Sequence, residues 1–156
     1  SYDTALDYFE RALALNEQLD DRFGIGMCLY GIGYQHHSMG DYDNAIEYLE
    51  KSCIILKEVG VGYQYLIQPT TALFLTCKYL GREFDKEEIR IMIRELEHID
   101  YQLNFSLYEL LEEQSYLKTA YDQLQEKADA MEDEFKEKFL NYPIPKQIIQ
   151  EWEGVS

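Results

Sequence analysis

The side chains with the richest chemistry in this 156-residue chain are three histidines, three cysteines and a large set of carboxylates. His36 and His37 are adjacent, so on a helix they point to different sides and cannot form a two-ligand metal face. His98 stands alone beside the acidic Glu95 and Glu97 and reads as a surface residue. Cys28, Cys53 and Cys77 each lie inside an apolar helical pattern, and no CxxC spacing supports zinc or redox chemistry. They read as reduced core thiols. Gly24-Ile25-Gly26 and Gly31-Ile32-Gly33 have the glycine spacing of a phosphate loop, but neither follows a strand and no GKS or GKT is present. Helix-contact glycines are the better reading. Glu109, Glu112 and Glu113 lack the histidine three positions on that a di-iron helix uses. The Glu-rich run from Glu126 to Glu137 is mixed with Lys127, Lys136 and Lys138, as on a solvated helix face. No Ser, Cys or Thr nucleophile has an evident base. The expectation is a chain with no catalytic residues, no metal site and no cofactor: not an enzyme.

Charge narrows the partners. The chain carries 30 Asp and Glu against 14 Lys and Arg, a formal net charge of −16. Nucleic acid is disfavoured, because phosphate binding needs clustered cations, and an anionic membrane surface is disfavoured for the same reason. Basic or apolar protein segments are favoured. At 46 % apolar residues the chain has enough material for a packed core under that acidic surface. No apolar run approaches the roughly 18 residues of a membrane span, and no signal peptide is recognisable. A cytoplasmic location is expected.

Periodicity supplies the elements that would position a site. Ala5, Leu6, Phe9, Ala12, Leu13 and Leu15 form an amphipathic stripe over residues 2–18. A second helix is expected over 23–39, ending at Gly40 in a left-handed cap, and Asp41 caps a third reaching residue 59. Gly60 and Gly62 break the chain before a helix over 63–80, which either starts near Gln68 or is kinked by Pro69. Gly81 ends it, and Asp85 caps the next. From Phe105 to Leu140 there is neither Gly nor Pro. Leu117, Tyr121, Leu124, Ala128, Met131 and Phe135 alternate at four and three, the seam of one long helix packed on neighbours or in a helical pair. Pro145 can open a short last helix through Trp152. Seven or eight antiparallel helices with no strand signal make the chain all-α.

Tyr2-Asp3-Thr4-Ala5-Leu6-Asp7-Tyr8-Phe9-Glu10-Arg11 lines up with Tyr42-Asp43-Asn44-Ala45-Ile46-Glu47-Tyr48-Leu49-Glu50-Lys51 at a spacing of forty residues. A fixed period of this size marks a helical solenoid. The repeated positions resemble the tetratricopeptide repeat at Leu29, Ile32, Gly33, Gly40, Tyr42, Ala45, Leu49 and Ser52, and in the preceding half unit at Tyr2, Ala5, Phe9 and Ala12. The match decays further on. Around Gly81 the chain keeps Leu73 and Phe84 but has Phe74 at a small-residue position, and near Glu87 and Glu88 no Ala is found. Around Tyr108, Leu111 and Tyr121 the turn glycine is missing, with Thr119 near its place. The resemblance implies antiparallel helix-turn-helix repeats stacked as a right-handed α-solenoid, closed by a long C-terminal capping helix. Residues 1–100 would be the repeats, the first incomplete, and 101–156 a degenerate repeat with the capping helix and a short terminal one.

Ala120-Tyr121, Ala128, Met131-Glu132-Asp133, Lys138 to Asn141, Pro143 or Pro145, and Ile148-Ile149 to Trp152 look like the end of tetratricopeptide arrays in multidomain bacterial and archaeal signalling proteins. With Ser1 falling inside a repeat, the sequence reads as a piece of a longer signalling protein. The resemblance further implies a scaffold or adaptor that binds a peptide or partner helix in a concave groove. Projected onto this chain, that groove comprises Met27, Tyr30, Tyr34, His37 and Ser38, then Gln68, Thr71, Leu75, Lys78 and Tyr79. The Lys, Asn and Arg clamp that some members use for a C-terminal carboxylate is lacking: Lys78 is the only basic residue projected there, and Asn44 falls on a second helix. The alternative is a structural element that self-associates through residues 2–18 or the C-terminal seam, which predicts homodimers or helix exchange.

Overall fold

The computed structural model describes residues 1–156 and contains nine helices and no strand. The chain divides into two compact units, Ser1–Leu96 and Glu97–Ser156.

The first unit holds α1 (Tyr2–Gln18), α2 (Arg22–Ser38), α3 (Tyr42–Val59), α4 (Tyr63–Tyr79) and α5 (Lys86–Glu95). Local chemistry sets their ends. Asp21, Asp41 and Asp85 accept backbone N–H bonds from Gly24, Asn44 and Glu87, which satisfies donors that a helix start leaves open. Gly40 lies at φ 82° and Gly81 at φ 69°, a left-handed geometry in which a Cβ is strained. α4 begins at Tyr63 and runs through Pro69, which is fully buried. A start near Gln68 is not found: the helix is already formed five residues earlier and continues past the proline. Pro69 has no N–H for the Tyr65 carbonyl, and Tyr65 is exposed, where water can serve that group.

Each helix packs on its successor, and α2 also touches α4. Short connections between packed neighbours make successive helices antiparallel. The close approach of α2 and α3 explains the glycines. A Cβ on Gly33 would lie 2.7 Å from Leu49 Cγ and 3.2 Å from the Leu49 backbone nitrogen. Ser52 Oγ donates to the Gly26 carbonyl at 2.7 Å across the same interface. Ile32, Leu49, Leu56 and Ile89 are fully buried here. α1 has no buried residue, and Leu15, expected to face inward, is 56 % exposed. Only one flank of α1 meets α2, through Phe9 over Gly31 and Asn16 over Cys28.

The second unit holds α6 (Tyr101–Leu111), α7 (Gln114–Asp129), α8 (Asp133–Leu140) and α9 (Pro143–Val155). The single long helix expected between Phe105 and Leu140 is not formed. Glu112 adopts φ 57° and its N–H closes α6 on the Tyr108 carbonyl. Met131 N–H closes α7 on the Ala128 carbonyl, and Glu132 is extended. Burial explains both breaks. Turning the chain lets Phe105, Phe139 and Ile148 close on Leu117, Ala120, Leu124 and Ala128 in one cluster, which a straight helix would leave open on one side. Phe135, read as part of the seam, is 57 % exposed on α8. Pro143 occupies the first turn of α9, where its missing N–H has no partner to lose.

Candidate functional site

Spacing along α2 places Met27, Tyr30, Tyr34 and His37 on one stripe, at three, four and three residues. Met27 and Tyr30 are half-buried, and Tyr30 packs against Ala45, Leu49 and Ala72. Its ring lies 6.0 Å from that of Tyr34, which is 40 % exposed. Ser38 is exposed, and its carbonyl accepts a 3.4 Å bond from the Tyr2 hydroxyl.

On α4 the projected residues separate. Gln68 and Lys78 are half-buried and Tyr79 is 53 % exposed. Thr71 and Leu75 do not belong to an open face: both are buried, and the Thr71 hydroxyl donates to the Ile67 carbonyl at 2.7 Å. Their positions turn into the core of the first unit, so a partner cannot reach them.

His37 and Tyr79 come together at the C-terminal ends of α2 and α4, with two residues that the projection missed. The Tyr42 ring, at the start of α3, stacks on Tyr79 at 5.1 Å with 2° between planes. The His37 ring lies 5.3 Å from Tyr42 and 5.6 Å from Tyr79, tilted 56° to both. Its Nδ1 is 2.9 Å from Thr76 Oγ1, and that hydroxyl donates its one proton to the Ala72 carbonyl at 2.8 Å. With the hydroxyl proton directed to the Ala72 carbonyl, the network assigns the ring hydrogen to Nδ1, which donates to Thr76, and leaves Nε2 as an acceptor in the neutral ring. No polar side-chain atom is buried without a partner, so Nε2, for which no bond within the chain is found, is not fully enclosed. The sequence offers a clue to Tyr42, which recurs with Tyr2 in the forty-residue echo. Thr76 lies 39 residues from His37 and carries no local signal.

Burial lowers the pKa of His37 from its ordinary 6.5. The unfolded chain therefore takes up this proton first, and stability falls as pH drops below about 6.5 until the folded group also titrates. Urea unfolding at a series of pH values between 7.5 and 5 should show a steeper loss for the wild type than for His37→Gln. Equal slopes would remove the buried neutral imidazole from the account.

The neighbouring titratable groups are structural. His36 Nδ1 lies 3.1 Å from Asp41 and its ring stacks on Tyr48. Hydrogen bonds from Asn44, with His36 adding a smaller effect, hold the Asp41 carboxyl below its usual range. All three thiols are unpaired and buried; burial raises Cys28 and Cys77 and pushes Cys53 up to about 11, so thiolate chemistry is suppressed. His98 is exposed, as its acidic surroundings suggested.

In the second unit a cleft of about 560 Å³ is lined by Asp100, Tyr101, Gln123, Glu126 and Lys127. Lys127 Nζ sits 5.5 Å from the Tyr101 ring centre and 5.6 Å from that of Phe139, which ties the cleft wall to the core.

A family model of the tetratricopeptide repeat matches residues 1–58. That stretch holds α1 to α3 and the strongest part of the internal echo, so the resemblance read from its residues holds there. No curated protein and no solved structure is significantly similar to the chain. Tetratricopeptide repeats mediate protein–protein interaction and are non-catalytic scaffolds. No helix of the chain is long and apolar enough to cross a membrane.

Proposed function

We propose that, with tetratricopeptide repeats over residues 1–58, the first unit captures a basic or apolar segment of a partner protein on the face shared by α2 and α4. The observation that supports it is a pair of exposed rings, Tyr34 and Tyr79, each beside a half-buried one, Tyr30 and His37. Tyrosine gives large rigid contact area at low entropic cost and keeps a hydroxyl for polar contacts. The net charge of −16 attracts cationic segments and repels acidic ones. In this reading the chain is a non-enzymatic adaptor within a larger cytoplasmic signalling protein, and residues 101–156 are a degenerate repeat unit.

Selection of a random peptide display library on the intact chain supplies ligands. The Tyr30→Ala/Tyr34→Ala double variant should weaken those peptides by tenfold or more, at about 1.4 kcal/mol per tenfold, with helical circular dichroism retained. Unchanged affinity would remove the face from consideration.

A second reading, self-association through α1, is favoured by the absence of any buried residue on that helix and by the exposure of Tyr8, Leu15 and Leu19. Light scattering over a concentration series decides it. A mass that grows toward a dimer supports it, and a constant monomer mass excludes it.

A further inference from the structure

We infer that the cluster of His37, Tyr42 and Tyr79 is a seat for an arginine side chain of the partner, with His37 Nε2 accepting a guanidinium N–H and the exposed Tyr79 ring taking its flat face. The inference rests on the binding face proposed above and assigns its cationic end.

Three independent features of the cluster favour a planar cation. The first is the tautomer. Because Thr76 Oγ1 gives its proton to Ala72 and receives Nδ1–H, Nε2 is left as an acceptor that the chain does not fully enclose. It suits a partner that brings donors only, and guanidinium is such a group. The second is the ring geometry. Tyr42 buttresses one side of Tyr79 in a parallel stack, while Tyr79 stays half exposed, so an approaching guanidinium meets a ring already fixed in place. The third is the backbone. The cluster sits at the negative ends of α2 and α4, and the positive start of α3 is met by the Asp41 carboxylate at its cap.

Around His37, the groups from the packed elements are Tyr42 on α3 with Thr76 and Tyr79 on α4; the nearby Asp41 is bonded to His36 and Asn44. Lys78, next to Tyr79, is half-buried and interacts within the chain. The imidazole is neutral above its titration, so arginine binds there, and protonation turns Nε2 into a donor and expels the cation. Occupancy is thereby linked to pH.

The probe is N-acetyl-arginine methylamide, with N-acetyl-norleucine methylamide as the apolar control, titrated into the intact chain and followed by the ring signals of His37 and Tyr79. At pH 7.5 arginine should give saturable shifts at both rings and norleucine should not. His37→Phe, which keeps a ring but loses the acceptor, should weaken arginine about tenfold, in line with a bond to a charged donor. Lowering pH through the His37 titration should weaken the wild type similarly and leave His37→Phe unaffected. Should His37→Phe lose helical dichroism, Thr76→Val is the second variant; it releases the tautomer without touching the ligand and should weaken arginine several-fold. Equal shifts from both probes, no saturable shift, or full affinity in the folded variants would overturn the inference. If library peptides still depend on Tyr30 and Tyr34 in that case, only the arginine seat fails. If they do not, the face itself fails.

Discussion

Leu124→Ala should remove about 3 kcal/mol of stability from the second unit, while Phe135→Ala should change it by less than about 0.5 kcal/mol. Both residues belong to the same four-three pattern in the sequence, so a single long helix packed along that seam would make both matter. The fold separates them. Leu124 is fully enclosed among Phe105, Leu117, Ala128, Phe139 and Ile148, whereas Phe135 projects from α8. Truncating Leu124 removes its dispersion contacts and leaves a void that a cluster closed by three other helices cannot fill. Trp152 is the only tryptophan and stacks on Tyr121 at 5.3 Å beside that cluster, so its fluorescence reports unfolding of this unit in urea. Similar losses for the two variants would restore the continuous seam.

Gly33→Val should destabilise the first unit by about 1–3 kcal/mol, and Gly31→Ala by clearly less. On the Gly33 side the new Cβ meets both the fully buried Leu49 side chain and its backbone nitrogen, so α3 itself has to shift. On the Gly31 side the nearest atoms are those of the Phe9 ring, 2.5–2.7 Å away, on a helix with no buried residue. That ring can move, and replacing a mid-helix glycine returns roughly 0.5–1 kcal/mol in helix propensity. Amide exchange along α3 measures the difference. An equal or larger cost at Gly31 would mean that α1 is anchored more firmly than its exposure suggests.

Both expectations bear on what the sequence could convey. Helix ends in the first unit were legible where Gly40 and Gly81 need positive φ and where Asp41 and Asp85 have oxygens to cap with, so residue type alone points to the geometry; the Asp21 cap was not read from the sequence. The break after Leu111 was not legible. Glu112 takes a left-handed conformation against its own preference because the turn buries apolar surface elsewhere. On α2 the three-four spacing conveyed which residues share one side of the helix. The α4 side was readable only in part: Thr71 and Leu75 share the spacing of Gln68 and Lys78, but the neighbouring helices of the first unit cover them. Tyr42 and Thr76 were missed because their link to His37 joins residues on three different helices, which no window along one helix can reveal.

The central claim is that the partner segment lies along α2 and α4. A library-selected peptide carrying a nitroxide label at one end, bound to the isotope-labelled chain, tests it directly through the amide and ring signals it broadens. Broadening centred on Tyr30, Tyr34, His37 and Tyr79, and absent when the label is reduced, is the predicted result. Broadening centred on Tyr8 and Leu15 of α1, on Ile54 of α3, or on the second unit, with the α2 and α4 signals untouched, would contradict it.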